Sequence, residues 1–300
     1  MSTNNHPLVS FIIPFYNHNH FVKYTLDSIL EDSYPNKEII VINDGSSNPD
    51  DSSITQWISN HSSNISINYI SRENVGLTKT LNELISLSNG KYIALCASDD
   101  YLINNTVSKR VEILENNPNK LLLLSDAIVV NDSNEKVMDS SLSELYSANK
   151  QNYLTDDGLK KEIITNWSVA GATHLINREL YDKVGLYNEK FIVEDLDFFL
   201  RVVAKDLILF YDEKVSAYRQ HDTNLSGNLS QALRMHEDLH GCATTHSVLF
   251  DDEYKKMLLD KADYYKKQIE HYKRERSFMK QLKKRTKKFR HKIKSLFKRK

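Results

Sequence analysis

The sequence predicts an α/β protein, with a mostly parallel central sheet flanked by helices and a C-terminal helical extension. Three observations support this. Short, continuous apolar runs alternate with segments of helical spacing over the first 130 residues. The runs lack the in–out alternation of a half-exposed antiparallel sheet, so both faces are covered. From Ser230 onward the spacing is helical, with no strand-like run.

In chain order, Leu8–Pro14 reads as a buried strand ended by proline. Phe21–Leu30 follows as a helix, with Phe21, Tyr24, Leu26, Ile29 and Leu30 on helical spacing. Glu38–Asn43 is a second apolar strand, closed by the turn-forming Asp44-Gly45-Ser46. A short helix over Ile54–Ile58 and a strand over Ile65–Ile70 come next. Leu77–Leu87 is helical through Leu77, Leu81, Leu84, Ile85 and Leu87, and Lys91–Cys96 is a fourth strand, ended by Ser98-Asp99-Asp100. Val107–Leu114 is a helix and Leu121–Val130 a strand. Asp132–Asp157 is polar and weakly periodic, a loop region with one short helix. Thr173–Ile176 is a short strand, Glu194–Ala204 a helix, and Leu207–Tyr218 one or two strands. In open parallel sheets, ligands bind outside the carboxyl ends of the strands. Asp44, Asp99 and Asp100 all follow strand ends, which separates them from ordinary surface acids.

Three hundred residues suffice for a full core. No apolar run approaches the roughly 18 residues of a spanning helix. The polar start, Met1–Pro7, lacks the basic and apolar regions of a signal peptide. Cys96 and Cys242 have no metal-type partners nearby and read as structural thiols. The expected compartment is therefore the reducing cytoplasm.

The formal net charge of zero hides an asymmetry: 273–300 holds fifteen Lys or Arg against one acid, leaving 25 basic against 39 acidic residues in 1–272. Within the tail, Phe278, Leu282, Phe289, Ile293, Leu296 and Phe297 fall on helical spacing among the basic residues. Such a segment suits an anionic membrane surface. An acidic protein partner, or the acidic body itself, is the alternative. Nucleic acid is not expected, because no companion recognition motif is present.

Six short motifs occur in order on these elements: Val9-Ser-Phe-Ile-Ile-Pro-Phe-Tyr-Asn17, Val41-Ile-Asn-Asp-Gly-Ser46, Asn74-Val-Gly-Leu77 with Asn82, Ala97-Ser-Asp-Asp100, Glu194-Asp195 and Arg219-Gln-His221. Together they resemble the family 2 glycosyltransferases, which have the GT-A fold, over roughly residues 7–228. The resemblance implies an inverting hexosyltransferase that uses a nucleotide-diphosphate sugar, with uracil as the expected base. The acceptor would be a glycan or lipid-linked glycan in bacterial surface-polysaccharide synthesis, reached at the inner face of the cell membrane.

With the resemblance ending near 228, the chain is expected to divide into a glycosyltransferase domain (1–228), a helical extension (229–272) and, from its charge, the basic tail (273–300). The nucleotide-binding half of the domain covers about 7–131 and the acceptor half about 132–228. A diphosphate needs charge compensation, so a divalent cation, Mn2+ or Mg2+, is expected, with Asp100 as direct ligand and His221 as a further one. Asp99 would bind the ribose or sugar. Asp44 would bind the base, with Pro14 and Tyr16 shaping its pocket. Asp195 would be the general base, Glu194 would orient the acceptor, and Arg219 would offset phosphate charge. Plain structural roles compete at several of these positions: helix-capping acids at Asp99-Asp100, an Asp-Gly turn at Asp44, and helix-dipole acids at Glu194-Asp195.

Two departures from the family pattern stand out: Asn43 replaces a common first acid beside Asp44, and Ala97 occupies the first acid position of a full Asp-x-Asp. A nucleotidyltransferase of similar sheet would need a glycine-rich, basic loop after the first strand. Phe15-Tyr-Asn-His-Asn-His20 has neither glycine nor Lys or Arg. A non-catalytic nucleotide-sugar-binding scaffold would have no need of all four aspartates.

Overall fold

The computed structural model describes residues 6–47, 52–103, 105–221 and 231–297. The chain divides into two compact units, Met1–Asn224 and Leu225–Lys300.

In the first unit, β1 (Val9–Phe15), α1 (Val22–Glu31), β2 (Lys37–Asp44), α2 (Ser52–His61), β3 (Ser66–Arg72), α3 (Leu77–Leu87) and β4 (Tyr92–Leu95) alternate as the apolar pattern requires. The remaining strands and α-helices are β5 (Tyr101–Leu102), α4 (Val107–Asn116), β6 (Leu122–Val130), β7 (Lys136–Met138), α5 (Asp156–Thr165), β8 (His174–Asn177), α6 (Glu179–Val184), α7 (Glu194–Val203) and β9 (Ile208–Arg219), with a π-helical turn at Ser141–Leu145 and 3-10 turns at Asn152–Leu154 and Gly171–Thr173. The sheet runs β3-β2-β1-β4-β8-β6-β9-β5, with β7 beside β6. β1 is parallel to β2 and β4, β2 to β3, and β6 to β9. β8 runs antiparallel between β4 and β6, which returns β6 and β9 to the direction of β1. The carboxyl ends of β1, β2, β4 and β9 therefore open on one sheet edge.

Residues on both sides of β1 and β2 are buried. Val9, Phe11, Ile13 and Phe15 pack with Val22, Leu26 and Ile29 of α1 in one core cluster, all fully inaccessible. Each such side chain contributes about 1.5–3 kcal/mol. β1 continues one residue past Pro14. Leu8 and Ile12 accept hydrogen bonds from Tyr92 of β4 and from Cys96 just after it. By alternation, the nitrogen of residue 14 faces the same side, beyond the last β1–β4 pair, Ile12 with Leu95. A proline there removes no ladder bond.

Four short elements lay outside the expected pattern: β5, β7, α5 and α6. Two- and three-residue strands hold too few positions to show a period. α5 does carry a start signal, since Thr155 caps it by accepting a hydrogen bond from Gly158 N at 3.1 Å, with Asp156 and Asp157 in its first turn. β5 matters most for the site. It pairs with Ser216 and Ala217 of β9 and so holds the segment just after Asp100 against the end of that strand. β9 reaches this position through irregular register opposite Ser125–Ala127.

The second unit contains α8 (Ala232–His246), a short 3-10 turn and α9 (Asp252–Phe297). The two helices lie antiparallel, with His236 packed 5.1 Å from Tyr272 between ring centroids and Glu237 paired to Lys273 at 3.0 Å. α9 has 46 residues, about 69 Å, and continues well past Lys273. The apolar set Phe278, Leu282, Phe289, Ile293, Leu296 and Phe297 lies outside the described side chains. No helix among the described residues is long and apolar enough to cross a membrane. Cys96 and Cys242 are both buried.

Candidate active site

The loop after β2 is built around Asp44. Its carboxylate accepts Val75 N and Gly76 N, each at 2.9 Å, and pairs with Arg72, which also bonds Glu83 at 3.0 Å. Gly45 has a φ of +73°, and a Cβ there would lie 2.5 Å from Asn74 N, so the turn admits only glycine. Asn43, where an acid is common, uses its Oδ1 to accept Ser46 N at 3.0 Å and Ser46 Oγ at 2.8 Å. A neutral amide thus serves as the brace of this turn. Beside it lies an open depression of about 430 Å³, lined by Asn43, Gly45, Ser46 and Ser71–Asn74. Tyr16 is 46 % exposed, and Pro14 is half-buried at the end of β1. Asn17 bonds Ser46 and Ser47, which ties the loop after β1 to the loop after β2.

The two carboxylates after β4 face different ways. Asp99 Oδ2 lies 3.0 Å from His221 Nε2, and Asp99 Oδ1 lies 3.8 Å from His18 Nδ1. Candidate ligand atoms of His18, Asp99 and His221 all fall within 4.8 Å of one another. Burial would raise the Asp99 pKa, but the His221 hydrogen bond and the neighbouring His18 outweigh it and hold Asp99 below the usual range. Burial lowers His18, against the pull of Asp99, and favours the neutral imidazole.

Asp100 is 1 % exposed, and its Oδ1 accepts Arg219 N at 2.9 Å. Its Oδ2 packs on the Gly171–Ala172 backbone without a well-aligned hydrogen bond. A Cβ on Gly171 would stand 2.1 Å from that oxygen. Burial and the neighbouring Asp99 charge push Asp100 well above the usual range. In this geometry Asp99, rather than Asp100, joins the histidines.

Arg219 is fully buried. Its Nε donates to Asp99 O at 2.8 Å and its Nη1 to Asn131 O at 2.9 Å, and its guanidinium lies 4.6 Å from the Phe21 ring centre. Arg219 thus acts as a clamp rather than an open phosphate contact. It holds the end of β9 against Asp99-Asp100 and delivers His221, two residues on, to the Asp99 carboxylate. Phe21 stacks on His221 at 5.2 Å.

Glu194 and Asp195 open α7, where the helix dipole favours acids. Burial raises Glu194, with help from Asp195, to about 8. Burial also raises Asp195, but Leu196 N at 2.7 Å and Trp167 Nε1 at 3.2 Å donate to its two oxygens and oppose the rise. Those donors favour placing the pair's negative charge on Asp195. Asp197 instead pairs with Arg201 at 2.7 Å, and Arg201 also holds the loop after α6. Asn82 fastens the same approach to α7, exchanging hydrogen bonds with Tyr187 O at 3.0 Å and Tyr187 N at 3.1 Å. Burial and contact with Tyr218 raise the phenol of Tyr146, and the charges of Asp100 and Asp195 both add to the shift. One phenol therefore senses both carboxylates. Its segment is anchored by the inaccessible Asp126, which accepts Ser140 Oγ at 2.6 Å and Ser141 Oγ at 3.1 Å.

His18, Arg72, Tyr146 and Trp167 are the site residues that sequence patterns did not point to. Only His18 carried a signal, as a histidine in the loop directly after the first strand.

The family profile described as Glycosyl transferase family 2 matches residues 10–185. An uncharacterized glycosyltransferase of Rickettsia prowazekii is 28 % identical over 236 residues, covering 78 % of this chain and 70 % of that protein. The putative teichuronic acid biosynthesis glycosyltransferase TuaG of Bacillus subtilis is 26 % identical over 235 residues, covering 77 % and 86 %. Among solved structures, S. aureus TarS 1-349 in complex with UDP-GlcNAc superposes with a TM-score of 0.63 at 17 % identity, covering 86 % of this chain and 72 % of the other. The mannosyltransferase PcManGT from Pyrobaculum calidifontis, in complex with GDP-Man and Mn2+, gives 0.64 at 16 %, covering 86 % and 70 %. The fold is that of the GT-A enzymes, and the chain belongs to glycosyl transferase family 2 and is a glycosyltransferase.

Proposed function

We propose that this glycosyltransferase moves a hexose from a UDP-sugar to a glycan or lipid-linked acceptor, with inversion, in the synthesis of a bacterial surface polysaccharide. The observation that carries this reading is the joint presence of an Asp99 carboxylate facing two imidazoles after β4 and a carboxyl pair, buried Glu194 beside half-buried Asp195, at the start of α7. The first suits a diphosphate with its cation, and the second suits an acceptor hydroxyl.

The donor base would lie by Asp44, Pro14 and Tyr16, in the depression lined by Arg72 and Asn74. Asp99 and His221 would hold a divalent cation, and their carboxylate and imidazole donors fit one. When bound, the cation supplies ligation of the phosphate oxygens and offsets charge on the leaving diphosphate. Asp195 takes the proton of the acceptor hydroxyl while that oxygen bonds to the anomeric carbon from the face opposite the diphosphate. The bond from anomeric carbon to diphosphate oxygen breaks in the same displacement, which inverts the centre. Glu194, carrying a proton near neutrality, donates a hydrogen bond that orients the acceptor. The basic end of α9 would hold the enzyme on an anionic membrane at the cytoplasmic face, near a lipid-linked acceptor.

Thermal stabilisation by nucleotide sugars, with and without Mn2+, tests the donor assignment. A UDP-sugar should raise the melting temperature, more so with the cation. Asp195→Asn should keep that stabilisation and lose transfer. If no nucleotide diphosphate stabilises the protein under either condition, the reading fails; if Asp195→Asn loses binding, Asp195 is not the base.

A further inference from the structure

We propose that His18 is a direct ligand in a two-imidazole, one-carboxylate centre with Asp99 and His221, and that this centre takes a first-row transition cation such as Mn2+ in preference to Mg2+. This rests on the donor-side cation reading and extends it to the third ligand and the class of metal.

The geometry is nearly assembled. His221 Nε2 is 3.0 Å and His18 Nδ1 is 3.8 Å from oxygens of the same Asp99 carboxylate, and His18 Nδ1 also lies 2.9 Å from Ser98 Oγ, a contact that a bound ion would replace. Ligands about 2.1 Å from a shared ion stand at most about 4.2 Å apart, and the three candidate atoms fall within 4.8 Å. The rings are also held in place. Phe21 stacks on His221 at 5.2 Å and meets His18 edge-on at 6.3 Å, and the two histidines lie 5.4 Å apart, edge to face. Arg219 backs Phe21 and anchors the strand end that carries His221. Supporting contacts of this kind orient metal ligands before binding.

The donor set has one carboxylate for two nitrogens. Ala97 offers no oxygen donor at the first acid position of an Asp-x-Asp. Asp100 directs Oδ1 to Arg219 N, and its other oxygen lies against Gly171. His18, brought in from the loop after β1, stands beside Asp99 as a third protein ligand to the ion. Mg2+ is bound mainly through oxygen and keeps much of its water. Imidazole shifts preference toward transition cations, and two histidines with one carboxylate are a recurring set for them.

The test uses the metal-free, full-length protein and cations alone. Mn2+ binding is followed by the loss of the free-ion electron paramagnetic resonance signal, and the nitrogens on bound Mn2+ are counted by electron spin-echo modulation. Two coupled imidazole nitrogens are expected, and Mg2+ should compete only at roughly 100-fold excess or more. His18→Ala should leave one nitrogen and weaken Mn2+ binding by roughly 10- to 100-fold. His20→Ala, in the same loop and outside the cluster, should change neither. A single nitrogen in the unmodified protein, or equal binding of Mg2+, overturns the proposal while leaving Asp99 and His221 as a cation site. Failure of the unmodified protein to bind any divalent cation overturns that wider reading as well.

Discussion

A methyl group on Gly171 would collide with the buried Asp100 carboxylate. The added Cβ in Gly171→Ala would lie 2.1 Å from Asp100 Oδ2 and 3.5 Å from Ala97 Cβ. About 1 Å or more must be recovered to reach an ordinary contact. Asp100 has little freedom to yield, because it is 1 % exposed and its Oδ1 holds Arg219 N at 2.9 Å. Either the 171–173 turn is displaced or that hydrogen bond breaks. Overpacking costs about 1–3 kcal/mol, and a buried N–H left unsatisfied about 1–3 kcal/mol more. We expect a loss of about 3 kcal/mol, or roughly 6–12 °C in melting temperature for a domain of this size. Asp100→Ala removes the obstacle, so adding it to Gly171→Ala should cost less than the two changes do separately, with a coupling of about 1–3 kcal/mol. Urea denaturation of the four proteins measures the cycle. A Gly171→Ala protein within about 0.5 kcal/mol of the unmodified one, or a cycle with no coupling, would refute the claim that this turn sets the Asp100 carboxylate.

Trp167→Phe removes the indole N–H that favours the ionised form of Asp195, so the acid limb of the pH–rate profile should move to higher pH and kcat should fall by roughly tenfold; an unmoved limb would dissociate Trp167 from the base. At Asp126, burial would raise the pKa, but hydrogen bonds from Ser140, Leu142, Ala127 and Lys150 hold it below the usual range. Its stabilisation is therefore complete above the unfolded value near about 4 and is lost as pH falls through the lower folded value. Asp126→Ala should cost about 3 kcal/mol at pH 7, and its urea midpoint should then lose less than that of the unmodified protein between about pH 5 and 2. Deleting 273–300 should release the protein from vesicles containing anionic lipid while leaving turnover on a soluble acceptor; unchanged vesicle binding would exclude the tail as the contact.

The order of strands and helices was readable because a strand buried on both faces must be continuously apolar and its covering helices must be amphipathic. α3 matched its expected bounds, Leu77–Leu87. β5 was not readable, since two residues have no period, and it is the element that presses the segment after Asp100 against β9. The polar stretch 132–157 hid the anchoring of Tyr146, because Ser140, Ser141 and Lys150 become informative only once Asp126 is known to lie beneath them. Arg219 shows the same limit from the other side. Its spacing from His221 was visible, but its burial against Asp99 O and Asn131 O makes it a clamp rather than a charge offered to phosphate.

The sequence alone determined the fold class, the family and the strand-end placement of Asp44, Asp99 and Asp100, because these follow from local patterning and from motifs in fixed order. Tertiary structure decided how those acids divide the work. Asp99 and Asp100 are adjacent in the chain, yet one faces His18 and His221 and the other faces the amide of Arg219. Which way each points depends on groups 81 to 122 residues away, held there by β5, β9 and the loop after β1. No local pattern records such contacts, because they arise only when separate strand ends meet at one sheet edge.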